Sequence, residues 1–229
     1  MKPDYLAPGM GVLGAVPGGS TCSPNHGTSV ASPSIAGVAA LVASAARRSG
    51  TAVRNPAMVR QCLNEASTSI KDSMWAQGFG RISSLKAVQC AETYTPRVTL
   101  VPPSFHLEKD CPYLSPLCDQ PLIRGGLPIS FNVTVLNGLG VLGQVTDLQW
   151  ASDSSLVVEA QYPVTLWPFA GAFAVQIRAS PDASIGVHTG QLWVRVDSNE
   201  KTCSDASSEG RWVPWETVSY THLTLPTKA

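Results

Sequence analysis

Ser29 stands in the run His26-Gly27-Thr28-Ser29-Val30-Ala31-Ser32-Pro33-Ser34-Ile35-Ala36-Gly37. There a glycine–threonine turn delivers one serine to the start of a long, small-residue apolar stretch. The first N–H groups of a helix have no intrahelical acceptor and the helix dipole is positive at that end, so an anion or a nucleophile is favoured there. A serine hydroxyl is a weak nucleophile alone. An imidazole must take its proton, and a carboxylate must orient that imidazole. Ser29 is therefore read as a nucleophile whose own N–H helps hold an oxyanion, a kind of donor worth about 2.7–4 kcal/mol in such sites. The competing reading is a plain helix N-cap.

The other reactive side chains are read more plainly. His26 lies three residues before Ser29 and is taken as an exposed loop histidine rather than the base. Asp4 is expected to anchor its own turn through backbone hydrogen bonds, and Lys2 and Pro8 are read as structural. Cysteines stand at 22, 62, 90, 111, 118 and 203. Cys111 and Cys118 bracket a proline-stiffened loop that suits a local disulfide, with two reduced thiols as the alternative. Nothing near Cys22 lowers a thiol pKa, so a structural or disulfide role is assigned to it; Cys62 and Cys90 fall in helical segments and read as small core residues. No C-x-x-C is present and His106 alone offers poor ligand spacing, so no metal site is assigned. Asn132-Val133-Thr134 is a glycosylation sequon, and strand alternation turns Val133 inward and Asn132 outward.

The elements that must position these residues change character along the chain. Ser29 to about Arg48 reads as a helix apolar nearly all round and hence buried, with Arg47 and Arg48 at its C-terminal dipole. Pro33 falls about a turn from the start, where a missing N–H is tolerated. Asn55-Pro56 opens a second helix to about Ala66. The Gly78-Phe79-Gly80-Arg81-Ile82 turn leads to a short helix, about Ser84 to Ala91. From Thr95-Pro96 onward the signal becomes β. Ile129, Phe131, Val133 and Val135 alternate with polar neighbours, as do Phe173, Val175 and Ile177, and Leu192, Val194 and Val196. Residues 96–200 are thus expected to form an antiparallel β-sandwich. Residues 201–229 read as an irregular tail, of which 219–229 resembles read-through into a cloning adapter.

Lys2-Pro3-Asp4-Tyr5-Leu6-Ala7-Pro8-Gly9, read with Gly27-Thr28-Ser29-Val30-Ala31-Ser32-Pro33, resembles the nucleophile region of subtilisin-like serine proteases, the subtilases. The later blocks Cys111-Pro112-Tyr113 through Pro121, Gly125-Gly126-Leu127-Pro128, and Asn132-Val133-Thr134-Val135-Leu136-Asn137-Gly138 are similar to a subtilisin–kexin branch of the early secretory pathway. The likeness runs over roughly residues 1 to 196. It implies the C-terminal part of an α/β subtilase catalytic domain over residues 1–95, followed by the sandwich. It also implies that the catalytic aspartate, histidine and oxyanion asparagine lie upstream of Met1, so the isolated chain is expected to be inactive. For the full-length protein it implies a calcium-dependent, membrane-anchored endopeptidase of the Golgi and endoplasmic reticulum lumen. Its substrates would be membrane-anchored protein precursors, transcription factors among them. The alternatives are a catalytically dead derivative whose β domain binds or regulates a partner, and an exopeptidase of the tripeptidyl-peptidase kind.

Composition narrows the partners. Sixteen basic and sixteen acidic residues cancel, which gives no electrostatic case for nucleic acid or an anionic membrane. Charged residues are 14% of the 229, well below the usual quarter, as expected of a piece whose surface is covered by further sequence. No uninterrupted apolar run reaches the roughly 18 residues of a bilayer span, so none is expected here.

Overall fold

The computed structural model describes residues 2–18, 21–51, 54–105, 122, 124–152, 155–162, 164–184, 186, 188–198 and 211–219. The chain divides into two units, Met1–Thr95 and Pro96–Ala229.

The first unit opens on a hairpin of β1 (Val12–Ala15) and β2 (Cys22–Asn25), with Val12 opposite Asn25 and Ala15 opposite Cys22. It runs into α1 (Thr28–Arg48), then α2 (Pro56–Glu65), β3 (Ser67–Thr68), α3 (Met74–Gln77), β4 (Arg81–Ile82) and α4 (Ser84–Glu92). Asn55 caps α2, its side chain accepting the Met58 N–H at 2.8 Å, and Pro56 fills the first helical position, where no N–H is needed. The core is built from Val42, Ala45 and Ala46 of α1, Met58, Cys62 and Leu63 of α2, and Ala87 and Ala91 of α4. Alanines at the crossings let the helices approach closely. Buried Tyr94 closes this core, its hydroxyl donating to buried Gln61 at 2.5 Å.

Three features of this unit differ from the sequence reading. α1 is not buried all round: only Val42, Ala45 and Ala46 are buried, and Leu41 beside them is 52% exposed. α2 and α4 cover one stripe near the C-terminal end of α1, and among the described residues nothing covers the opposite face. An apolar helix surface is buried only where another surface meets it, and composition does not report that. By length and composition α1 also passes for a helix able to cross a membrane, contrary to the expectation that none would. Its buried stripe nevertheless packs on α2 and α4 as a core helix does. Finally, Cys62 and Cys90 pack in the helical core as read, but they do so as a disulfide joining α2 to α4, with Cα atoms 5.5 Å apart.

The second unit contains β5 (Val98–Val101), β6 (Ser104–Phe105), β7 (Ile129–Asn137), β8 (Gly143–Ser152), β9 (Leu156–Ala160), β10 (Val164–Leu166), β11 (Ala170–Ala179), β12 (His188–Ser198) and β13 (Arg211–Ser219). They form a four-stranded sheet in the order β5-β7-β11-β9 and a five-stranded sheet in the order β10-β8-β12-β13-β6. Every pairing is antiparallel except the short parallel contact of β13 with β6. The alternation predicts which side chains turn inward: Ile129, Phe131, Val133, Val135, Phe173, Val175, Ile177, Leu192, Val194 and Val196 are all buried. Phe105 of β6 and Phe131 of β7, one from each sheet, have ring centroids 3.8 Å apart.

The tail departs from its reading as irregular from residue 201. Arg211–Ser219 is a strand that pairs with β12 from Val196–Arg211 to His188–Ser219. Trp, Val and Thr in this segment favour a strand, whereas the small polar run before it hid the signal. Ser219, assigned to the adapter-like segment, is the last residue of β13, and residues 220–229 lie outside the described residues.

Candidate active site

Ser29 is the second residue of α1, and the N-cap position before the helix belongs to Gly27, which makes no side-chain cap. Gly27 adopts φ 132°, ψ 165°, a backbone conformation that residues with a Cβ rarely enter. Its carbonyl accepts the N–H groups of Val30 at 3.1 Å and Ala31 at 3.4 Å and closes the first turn. The hydroxyl of Ser29 therefore caps nothing. It is exposed, and among the described residues it makes no hydrogen bond. Its N–H lies where the helix supplies no acceptor. One turn on, Pro33 is the sixth helical residue, past the first-turn positions where a missing N–H costs nothing. The N–H it lacks is the one that would bond the Ser29 carbonyl in a regular α-helix.

The turn is held from below by the Lys2–Gly9 segment. Gly27 N–H donates to the Gly9 carbonyl at 2.7 Å. Further back, Leu6 N–H donates to Gly80 O at 2.8 Å, Ile82 N–H to Leu6 O at 3.2 Å, and Phe79 N–H to Asp4 O at 2.9 Å. Gly78, at φ 61°, lies so close to Asp4 that a Cβ would fall 2.1 Å from the Asp4 carbonyl oxygen. The two glycine-rich motifs, some seventy residues apart, thus fold against each other. Asp4 departs from its reading as a backbone anchor of its own turn: its carboxylate pairs with Arg60 of α2 at 2.8 Å and with Lys2. Tyr5 donates to Asn64 Oδ1 at 2.6 Å, and burial pushes its phenol up to about 12 despite the Arg60 charge.

The remaining candidates are placed as follows. His26 is exposed, and its Nδ1 accepts the Gly11 N–H at 3.2 Å, an interaction the sequence did not signal. Cys22 is a free, exposed thiol on β2, not part of a disulfide. Pro8 is exposed on the segment leading to Gly9. Asn132 is exposed on β7, opposite Ala174 of β11, with Val133 beside it buried. Cys111, Cys118, His106 and Cys203 lie outside the described residues. Among the described residues no group of three or more His, Cys, Asp or Glu could hold a metal ion. The β1–β2 hairpin that feeds the serine turn was missed, because two four-residue strands containing glycine and proline carry no readable alternation.

A glycine-capped helix thus presents an uncapped serine, with the upstream lysine–proline–aspartate segment laced to its turn. Residues 1–81 match the model of the subtilase family, and residues 101–214 match that of the third Ig-like domain of MBTPS1. The likeness to the subtilase family thus covers both the serine motif and the upstream segment that holds its turn. It is 35% identical over 219 residues to the human membrane-bound transcription factor site-1 protease, covering 91% of this chain and 20% of that protein. The mouse protein of the same name is 35% identical over 212 residues, covering 88% of this chain and 20% of its own length. The subtilisin-like protease SBT6.1 of Arabidopsis thaliana is 34% identical over 209 residues, 86% of this chain and 20% of its own length. The chain spans about a fifth of the length of these relatives.

Proposed function

We propose that this chain carries the nucleophile of a site-1-protease-like serine endopeptidase that processes membrane-anchored precursors, transcription factors among them, in the lumen of the Golgi and endoplasmic reticulum. The observation that carries this reading is Ser29 itself: exposed at the second position of α1, capping nothing, with an N–H lacking a helical acceptor. In the reaction Ser29 Oγ attacks the scissile carbonyl, and the Ser29 N–H receives the developing oxyanion. An imidazole must remove the hydroxyl proton, and His26 does not serve, because its Nδ1 is occupied by Gly11. With no base hydrogen-bonded to Ser29 among the described residues, this chain alone is inactive.

The second unit is read as a sandwich of its two sheets, glycosylated at Asn132 and carrying a local Cys111–Cys118 disulfide. Both modifications fit an oxidising lumen, as does the Cys62–Cys90 bridge. Calcium is implied by the family for the full-length protein; among the described residues no group of three or more His, Cys, Asp or Glu could hold it.

A fluorophosphonate probe tests the reading. The isolated chain stays unlabelled, while a longer product carrying the upstream aspartate and histidine segments is labelled and loses the label on Ser29→Ala. Labelling of the isolated chain overturns its inactivity. Failure of the longer product overturns the protease assignment in favour of a dead derivative whose β unit binds a partner.

A further inference from the structure

Resting on the assignment of Ser29 as nucleophile, we propose that His26 is a proton-sensitive positioning residue that fastens the Gly9–Gly11 segment to the serine turn. The β1–β2 ladder ends at the Val12–Asn25 pair, yet the two chains stay joined beyond it. Gly11 N–H donates to His26 Nδ1 at 3.2 Å, and Gly27 N–H donates to Gly9 O at 2.7 Å. The imidazole thus supplies an acceptor where a backbone carbonyl would serve in a longer hairpin.

That acceptor exists only in the neutral ring. An imidazolium donates from both nitrogens, so a proton on Nδ1 sets donor against donor and the Gly11 bond is lost. The positive end of α1 begins two residues further on. The surrounding elements place no acidic group beside the ring. β1 and Gly9–Gly11 carry no ionisable side chain, the first turn of α1 has no acidic residue, and β2 contributes only the Cys22 thiol. The charged residues of the preceding segment, Lys2 and Asp4, pair with each other and with Arg60. Acidification therefore releases Gly11 and leaves the serine turn tied to this segment through Gly9 alone.

The test is NMR on the full chain labelled with 15N, in the wild type, His26→Asn and His26→Ala. In the wild type, a scalar coupling between the Gly11 amide nitrogen and His26 Nδ1 is expected at about pH 8 and lost at about pH 5. The Gly11 amide shift moves from the bonded to the released value over the same range. His26→Asn keeps an oxygen acceptor that does not titrate, so its Gly11 shift stays at the hydrogen-bonded value across the range. In His26→Ala it stays at the released value. The proposal is overturned by a wild-type Gly11 shift independent of the imidazole, by a proton on Nδ1 at about pH 8, or by an equal pH response in His26→Asn. Loss of the protease reading would appear in probe labelling and leave these spectra unchanged.

Discussion

Gly9 and Gly27 meet backbone to backbone beneath the Ser29 turn: the Gly27 N–H donates to the Gly9 carbonyl at 2.7 Å. The approach leaves no space for a side chain, since a Cβ on Gly9 would lie 2.9 Å from the Gly27 carbonyl oxygen and 3.3 Å from the Ala31 Cβ. The position of Ser29 is thus set by a glycine twenty residues away.

Gly9→Ala should therefore push the serine turn off the upstream segment, at the cost typical of overpacking, about 1–3 kcal/mol. Gly37→Ala is the control. It lies inside α1 with nothing within 4 Å of its added Cβ, so helix propensity alone should stabilise it by about 0.5–1 kcal/mol. Denaturant unfolding of both variants checks the opposite signs. Equal effects would mean that the Gly9 contact constrains nothing.

Much of this was legible because local chemistry and final structure agree. The Asn55-Pro56 start of α2, the alternation of β7, β11 and β12, and the glycine–threonine entry to α1 are short-range signals, and the structure has those elements there. What was not legible depends on partners distant in sequence. The exposed faces of α1 follow from which helices meet it, and the Cys62–Cys90 bridge from how α2 crosses α4. Asp4 pairs with Arg60, 56 residues on, where local reasoning sees only its turn. Strand β13 needed β12 beside it, and its polar approach concealed it. Ser29 itself was legible by type and position, whereas the vacancy of its N-cap role required the geometry of Gly27.

Removing the Cys62–Cys90 bridge should loosen the first unit. In the loop-entropy account, a link across 28 residues restricts the unfolded chain by about 3–4 kcal/mol. Both cysteines also lie against the helical core, Cys62 fully buried, so each truncation adds a packing loss. The double variant Cys62→Ala/Cys90→Ala should lose several kcal/mol of stability in denaturant unfolding, whereas Cys22→Ala, at an exposed free thiol, should change little. Equal stability of the double variant and wild type would contradict the bridge.

In the second unit, Asn137 is 1% exposed and joins two loops through one amide. Its Nδ2 donates to Val141 O at 2.7 Å and Trp167 O at 3.0 Å, while its Oδ1 accepts the Leu139 N–H at 3.2 Å. Asn137→Ala strands all three groups and should cost about 2–4 kcal/mol, near the upper range for a broken buried network. Asn137→Asp keeps the shape but turns a carboxylate oxygen toward the two carbonyls. It should be no milder at neutral pH and should recover as acidification protonates the new acid. Thermal unfolding against pH separates the two, and a pH-independent Asn137→Asp variant would refute the donor role.

Tyr5 ties the upstream segment to α2 through Asn64, and its phenol is raised from 10.0 to about 12, chiefly by burial, with the Arg60 charge opposing. Between those values the unfolded chain has released the proton and the folded chain still holds it. Folded protein then binds more protons than unfolded, so stability falls as pH rises through this window and the contribution is complete below it. Tyr5→Phe removes the titrating group and the 2.6 Å bond together. It should lower stability at neutral pH by about 0.5–1.5 kcal/mol yet flatten the decline above pH 10. Phenolate absorbance provides the direct check: one tyrosine of the folded wild type should ionise near pH 12, and that late component should be missing from the variant. If the late component persists in Tyr5→Phe, the raised group is another tyrosine, and the hold of α2 on the segment beneath Ser29 has been assigned to the wrong side chain.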